Sequence, residues 1–207
     1  MRDPGLKQVG LVLLAGGGSR RLGSPKQLLA DTEGRTLVRR AAETALGSTC
    51  RPVAVVLGAS AEAIEAELTG LPLTIAVNPD WQTGLASSLK AGLNALTEAH
   101  KLTEAHKLDA VVVMLCDQPQ VTSALLDSLV TAHADTGHAI IACEYGGALG
   151  VPALFGRALF GALASLTGDE GARRVIKNYA GAVTRLPFPE GIFDVDTPQD
   201  AEVLTRR

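Results

Sequence analysis

Two rhythms of hydrophobic and polar positions follow one another along this chain. Short apolar runs occupy residues 9–15, 53–57, 73–77, 109–115 and 138–143. Runs of that length, bounded by turn-forming residues, predict strands buried on both faces. Between them the spacing lengthens to that of a helix. Residues 34–47 place Leu37, Val38, Ala41, Ala42 and Ala45 on one face and stop at Gly47. Residues 59–70 repeat the pattern with Ala63, Ile64 and Leu68, and Ser60 stands where it can cap the helix. A further helix is predicted over 123–133, and a short strand followed by a terminal helix over 193–200. Strand and helix in this alternation imply right-handed crossovers. The expected fold class is α/β, with a mostly parallel central sheet and helices on both faces.

The first strand runs into the stretch LLAGGGSRRLGSPKQL at 13–28, where the chemistry concentrates. Gly16, Gly17 and Gly18 are followed by Ser19, Arg20, Arg21, Gly23, Pro25 and Lys26. Glycines let backbone N–H groups approach phosphate oxygens, while guanidinium and ammonium groups add charge and forked donors. A triple glycine alone is equally a plain strand-to-helix turn; the neighbouring arginines and lysine favour an anion-binding loop for a nucleoside triphosphate. Two better-known glycine loops are excluded. The dinucleotide fingerprint GxGxxG meets Arg21 where its third glycine belongs, and the ATPase pattern GxxxxGK[ST] has Ser24 where a lysine should follow Gly23.

Other strand ends supply further candidates. After the third predicted strand, the run NPDWQTGLASSLKAGL offers Asn78, Gly84, Ser87 and Ser88 at the sheet edge where ligands bind in open α/β folds. For Asp80, Thr83 and Ser88 an Asx turn and a helix cap are an equal reading. The most apolar strand, 109–115, ends in Cys116, Asp117, Gln118 and Pro119, a carboxylate placed to hold a divalent cation beside phosphates. Near the C-terminus, FDVDTPQD sets Asp194 and Asp196 in alternation, so only one of them faces Asp117. The hexapeptide LTEAHK occurs twice in succession at 96–107. A six-residue step turns a helix by roughly 600°, so Leu96, Leu102 and Leu108 cannot share a face, and His100 and His106 are not spaced to share a metal. The duplication is expected on the surface, with both histidines solvated.

Composition narrows the function classes. A chain of 207 residues without a Pro-, Ser- or Gly-rich linker is expected to form one domain over 1–207. Its net charge of −3 opposes a nucleic-acid or membrane-binding surface, so an anionic ligand has to be captured locally. Cys50, Cys116 and Cys143 are odd in number and widely spaced, as unpaired thiols in a reducing compartment are. With no apolar leader before the first strand and no run of membrane-spanning length, the expected location is the cytoplasm.

Taken together, the loop, the NPDW segment, Asp117-Gln118-Pro119, the segment GDEGAR and D-V-D-T-P resemble the nucleotidyltransferases of the molybdenum-cofactor cytidylyltransferase and guanylyltransferase group. The closer match is to the cytidylyltransferase-like branch, where [AG]-G-x-S-R-R-[LM]-G-x-x-K-x-L recurs. The resemblance implies a Rossmann-like nucleotidyltransferase fold and transfer of CMP from CTP to molybdenum-bound molybdopterin, with Mg²⁺ as cofactor and a molybdoenzyme as the client. It assigns nucleotide binding to Leu14, Ala15, Gly16, Gly17, Gly18, Ser19, Arg20, Lys26, Asn78 and Ser87, catalysis to Arg20, Lys26 and Asp117, and metal binding to Asp117 and Asp196, with Asp194 second to Asp196. Asp169 and Arg173 either contact the second substrate or cap a helix. The family's G-H-P histidine is replaced by Val151 between Gly150 and Pro152. Ala15-Gly16-Gly17 and Cys116-Asp117 depart toward the guanylyl branch, which makes GTP the alternative nucleotide. Another phosphorylated acceptor, or a non-catalytic cofactor carrier, are the competing readings.

Overall fold

A computed structural model of the protein describes residues 8–19, 21–98 and 108–205. In chain order the elements are β1 (Val9–Leu14), α1 (Leu37–Gly47), β2 (Val53–Leu57), α2 (Ala61–Ala66), β3 (Thr74–Val77), α3 (Leu85–Glu98), β4 (Ala110–Leu115), α4 (Ser123–Thr136), β5 (Ile140–Tyr145), β6 (Ala148–Gly156), α5 (Phe160–Ala164), α6 (Ala172–Asn178), β7 (Val183–Pro187) and α7 (Pro198–Thr205). The strands form one seven-stranded sheet in the order β3-β2-β1-β4-β6-β5-β7. Only β6 runs against its neighbours β4 and β5; the remaining pairs are parallel.

Alternation along the strands divides the core in two. Leu11, Leu13, Val53, Val55, Val112 and Met114 point to the face covered by α1, α2 and α4, where Val38, Ala42, Ile64, Leu126 and Leu129 meet them. Val12, Leu14, Ala54, Val56, Val111 and Val113 point to the opposite face, covered by Leu89 and Leu93 of α3, Leu163 of α5 and Val175 and Ile176 of α6. Because both faces are covered, these strands read as continuous apolar runs. Burying one such Val or Leu side chain contributes about 1.5–3 kcal/mol.

Local chemistry sets the helix ends. Thr36 caps α1 by accepting from the Arg39 N–H, and Thr122 caps α4 by accepting from Leu125. The expected Ser60 cap is corrected. Its backbone lies in the left-handed region (φ 55°, ψ 32°), not in the extended conformation from which a side chain reaches the N–H groups of the first turn, and its hydroxyl makes no capping bond.

Two further expectations change, and a hairpin not predicted from the sequence appears. The glycine-rich passage at 145–155 is the end of β5 and most of β6, joined at Gly146-Gly147 with positive φ at both residues (56° and 74°). That is the two-residue hairpin turn for which Gly-Gly is a signal. The strand predicted at Phe193 is absent, because that segment makes a local turn bond from the Phe193 N–H to the Glu190 carbonyl and one long-range backbone bond, Val195 N–H to the Asp117 carbonyl at 2.9 Å, and no ladder. The LTEAHK duplication is not superficial at its start: Leu96 is buried and meets Leu108, the residue after the duplication, over Gly10 of β1. His100, His106 and Leu102 lie outside the described residues.

Candidate active site

After β1 the chain builds outward to β2 and β3, then crosses back to add β4 on the other side of β1. The carboxyl ends of β1 and β4 thus flank the switch point of the sheet, where adjacent loops part and leave a crevice. Leu14 pairs with Leu115, so the glycine loop and the Cys116-Asp117 turn leave side by side. A cleft of about 500 Å³ opens there, lined by Leu14, Ala15, the three glycines, Lys26 and Asp117. Trp81, Gly84, Ser88 and Asp169 complete its lining.

The glycine loop is held from behind. Gln27, 1% exposed, donates through its amide nitrogen to the carbonyls of Ala15 and Gly17, both at 2.8 Å. Ser19 donates to the Gln27 amide oxygen at 3.3 Å and accepts from the Lys26 N–H at 2.9 Å. The indole of Trp81 lies against Gly18 and Gly58, leaving no room for a β-carbon at either. Gly84 takes φ 116°, and its α-carbon abuts the Gly168 backbone, so a side chain there is excluded on both counts.

Lys26 is the electrostatic centre. Its Nζ bonds Asp117 Oδ2 at 2.5 Å and Asp196 Oδ1 at 2.7 Å. Burial pulls the ammonium's pKa down, but the Asp117 charge and the hydrogen bonds to both carboxylates outweigh it, and the net shift is upward. The Lys26 hydrogen bond, in turn, holds Asp196 below the usual carboxylate range. Arg21 reaches Asp196 Oδ2 at 2.7 Å, but with its own side chain 72% exposed that pair contributes no more than about 1 kcal/mol. Asp196 is fixed by a capping box at the start of α7, in which Asp200 accepts from the Asp196 and Thr197 N–H groups and Thr197 accepts from Asp200. Asp194, on the alternate side, is pushed up to about 6 by partial burial and by the charges of Asp117 and Asp196.

The structure brings Leu14, Ala15, Gly16, Gly17, Gly18, Lys26 and Asp117 together at the cleft, with Asp196 joined through Lys26. Arg20 lies outside the described residues. Ser19 turns its hydroxyl to Gln27 and Lys26, forming the back of the loop. Asn78 and Ser87 do not line the cleft. Asn78 is buried, its amide donating to Ser87 Oγ and Ser88 Oγ and its oxygen accepting the Asp80 N–H, so it orients Ser88, which does face the cleft. Asp169 lines the cleft, Arg173 donates to the Leu149 carbonyl, and α6 is preceded by Gly171, which provides no side-chain cap. Where the family carries histidine, the Val151 carbonyl accepts from Tyr145 Oη at 2.8 Å. Sequence reading passed over Gln27 and Tyr145, since a glutamine after a lysine and a tyrosine before two glycines look like surface residues.

The donor set suits a divalent cation. Asp117 Oδ1 is buried and has no hydrogen-bond partner among the described residues, and two carboxylates converge on one ammonium. Magnesium-type ions are held in this way, by one or two carboxylates with substrate phosphates completing the shell. Among the described residues no cluster of three or more His, Cys, Asp or Glu side chains forms a self-sufficient metal cage, and no helix is long and apolar enough to cross a membrane.

Residues 11–183 match the MobA-like NTP transferase domain. The purine catabolism protein PucB of Bacillus subtilis is 33% identical over all of this chain and 98% of its own length. Nicotine blue oxidoreductase of Paenarthrobacter nicotinovorans is 40% identical over 64% of this chain, a match that spans 61% of that protein. Among solved structures, Rv0371c of Mycobacterium tuberculosis superimposes with a TM-score of 0.80 at 31% identity, covering 97% of this chain and 98% of that one. Its complex with manganese gives 0.76 at 28% identity, covering 97% and 99%. A switch-point cleft with a basic glycine loop, on a chain matched through most of its length, makes this protein a nucleotidyltransferase of the MobA-like NTP transferase family.

Proposed function

We propose that the protein transfers CMP from CTP to the phosphate of molybdenum-bound molybdopterin, releasing pyrophosphate. The observation that carries this reading is the meeting, in one cleft, of the glycine loop with Lys26 and Asp117, with Asp196 bonded to Lys26. A phosphate monoester acceptor, with a second pKa near ~6, is largely dianionic at neutral pH and needs no general base. The obstacle is repulsion between polyanions, and the residues present address it. Lys26 supplies a fixed positive charge, the loop supplies N–H donors for the triphosphate, and Asp117 and Asp196 would hold a divalent cation. When bound, that cation neutralises charge on the phosphates; the manganese complex of Rv0371c supports its use here. Arg20 belongs to the same proposal as a second cation beside the triphosphate, and Asn78 with Ser87 as the support of the nucleotide wall.

Two other readings rest on specific observations. Val151 in place of the family histidine favours a different phosphorylated acceptor. A redox reading, suggested by the name of the Paenarthrobacter relative, would set a dinucleotide on a loop that has Arg21 in place of the third glycine and leads into the short 3₁₀ turn Lys26–Leu28, not an α-helix. The test is pyrophosphate release with CTP or GTP against molybdopterin and a panel of phosphorylated acceptors, with products identified by mass. CMP-linked molybdopterin is expected; predominantly guanylated product, or release with another acceptor only, overturns the assignment.

A further inference from the structure

Gln27 carries none of the roles assigned above, yet it is the most deeply buried polar side chain of the cleft. Its two N–H bonds go to the carbonyls of alternate loop residues, Ala15 and Gly17. In a planar trans peptide the carbonyl of one residue and the N–H of the next point to opposite sides. Holding the carbonyls of Ala15 and Gly17 toward Gln27 turns the N–H groups of Gly16 and Gly18 away from it. The Gly16 carbonyl is also taken, by the Ala59 N–H at 3.2 Å. Three successive carbonyls are thus occupied by donors, while the N–H groups of Gly16, Gly17 and Gly18 bond to no described residue. Glycines left to themselves have no steric preference between the two senses of a peptide plane, and an outward carbonyl would repel a triphosphate.

We infer that Gln27 is the positioning residue of the phosphate loop. By holding two carbonyls behind the loop it presets the N–H groups of Gly16 and Gly18 as donors to the phosphates, acting through the loop and not by contact with the nucleotide. This rests on the proposed triphosphate site. Gln27→Met keeps the length and apolar packing of the side chain without a donor; Gln27→Glu keeps its shape and sets a carboxylate against the two carbonyls. Binding of CTP with Mg²⁺, and of inorganic tripolyphosphate, is measured by calorimetry, with melting curves to establish folding. Amide resonances of ¹⁵N-glycine-labelled protein report on the loop. The expected result is a loss of at least ~10-fold for both ligands in each variant, the scale of two lost hydrogen bonds. Gly16 and Gly18 resonances should shift on CTP addition in the wild type and much less in the variants. A folded variant that binds CTP with the wild-type Kd overturns the inference. So do Gly16 and Gly18 resonances that stay unmoved when the wild type binds CTP, a readout independent of whether either variant folds. A wild type that takes up neither CTP nor GTP sinks the proposed function and this inference together.

Discussion

On either side of Asp117 the cleft is built by opposite means. Toward β1 and β3 its wall is set from inside the protein: Gln27 holds the loop carbonyls, and the buried amide of Asn78 orients Ser87 and Ser88. Toward the segment that precedes α6 the lining is exposed: Asp169 lies at the surface, and Arg173 of α6, beyond the cleft, is tied to a single carbonyl. The parallel side is preorganised by buried hydrogen bonds, whereas Asp169, ahead of α6, presents an exposed side chain. Under the proposed function this division fits the ligands, because the triphosphate is common to every nucleotide, whereas base and acceptor are where the competing readings differ.

The sharpest way to break this comparison is at its boundary. Asp117→Ala should lower turnover by at least ~10²-fold, the scale for losing a principal electrostatic stabiliser. Normal pyrophosphate release by this variant with Mg²⁺ would remove Asp117 from the chemistry. Next, Lys26→Ala should raise KM for the nucleotide by ~10-fold or more, as loss of a charge-assisted bond does, while Arg21→Ala, exposed on the rim, changes it by less than ~5-fold. Equal effects at the two positions would place the electrostatic centre elsewhere.

On the hairpin side, Tyr145→Phe removes the hydroxyl that bonds the Val151 carbonyl and should lower stability by about 0.5–1.5 kcal/mol. Nucleotide affinity should stay at its wild-type value, and a matching loss in CTP binding would show that the two walls are not independent. The smallest effect belongs to Asp31, in the turn that leads into α1. Burial alone would raise its pKa, but the N–H groups of Arg35 and Glu33 and the Arg35 guanidinium outweigh it, and the net shift is downward. A depressed carboxylate stabilises the fold above its ordinary pKa of about 4 and loses that contribution as pH falls through and below it. With Arg35, Arg40 and Glu33 facing it in an exposed turn, screening limits the gain to less than about 1 kcal/mol. Asp31→Asn should therefore be less stable than wild type in urea at pH 7, with the gap narrowing as pH falls below about 4; a gap that does not change with pH would assign the effect to packing.

The same division decided what could be read from the sequence. Strands β1, β2 and β4 are buried on both faces, so their unbroken apolar runs announced them, and the spacing of Leu37 to Ala45 announced α1. β6 was missed because Gly150 and Pro152 interrupt it, and β7 because its Thr184 and Arg185 lie at the sheet edge. At the site, Gly16, Lys26 and Asp117 were visible because their chemistry is local: glycines, a cation and a strand-end carboxylate each carry a signal of their own. Gln27 was invisible because its role depends on which way two carbonyls point, and Ser60 misled because a capping residue type does not fix the backbone angle that a cap requires.

Trp81 is the only tryptophan in the chain, and it rests on the glycine loop at the wall of the cleft. Its emission has no background from other indoles, so the protein carries a built-in optical gauge of the surface that the nucleotide is proposed to cover, readable in unlabelled material during a simple titration.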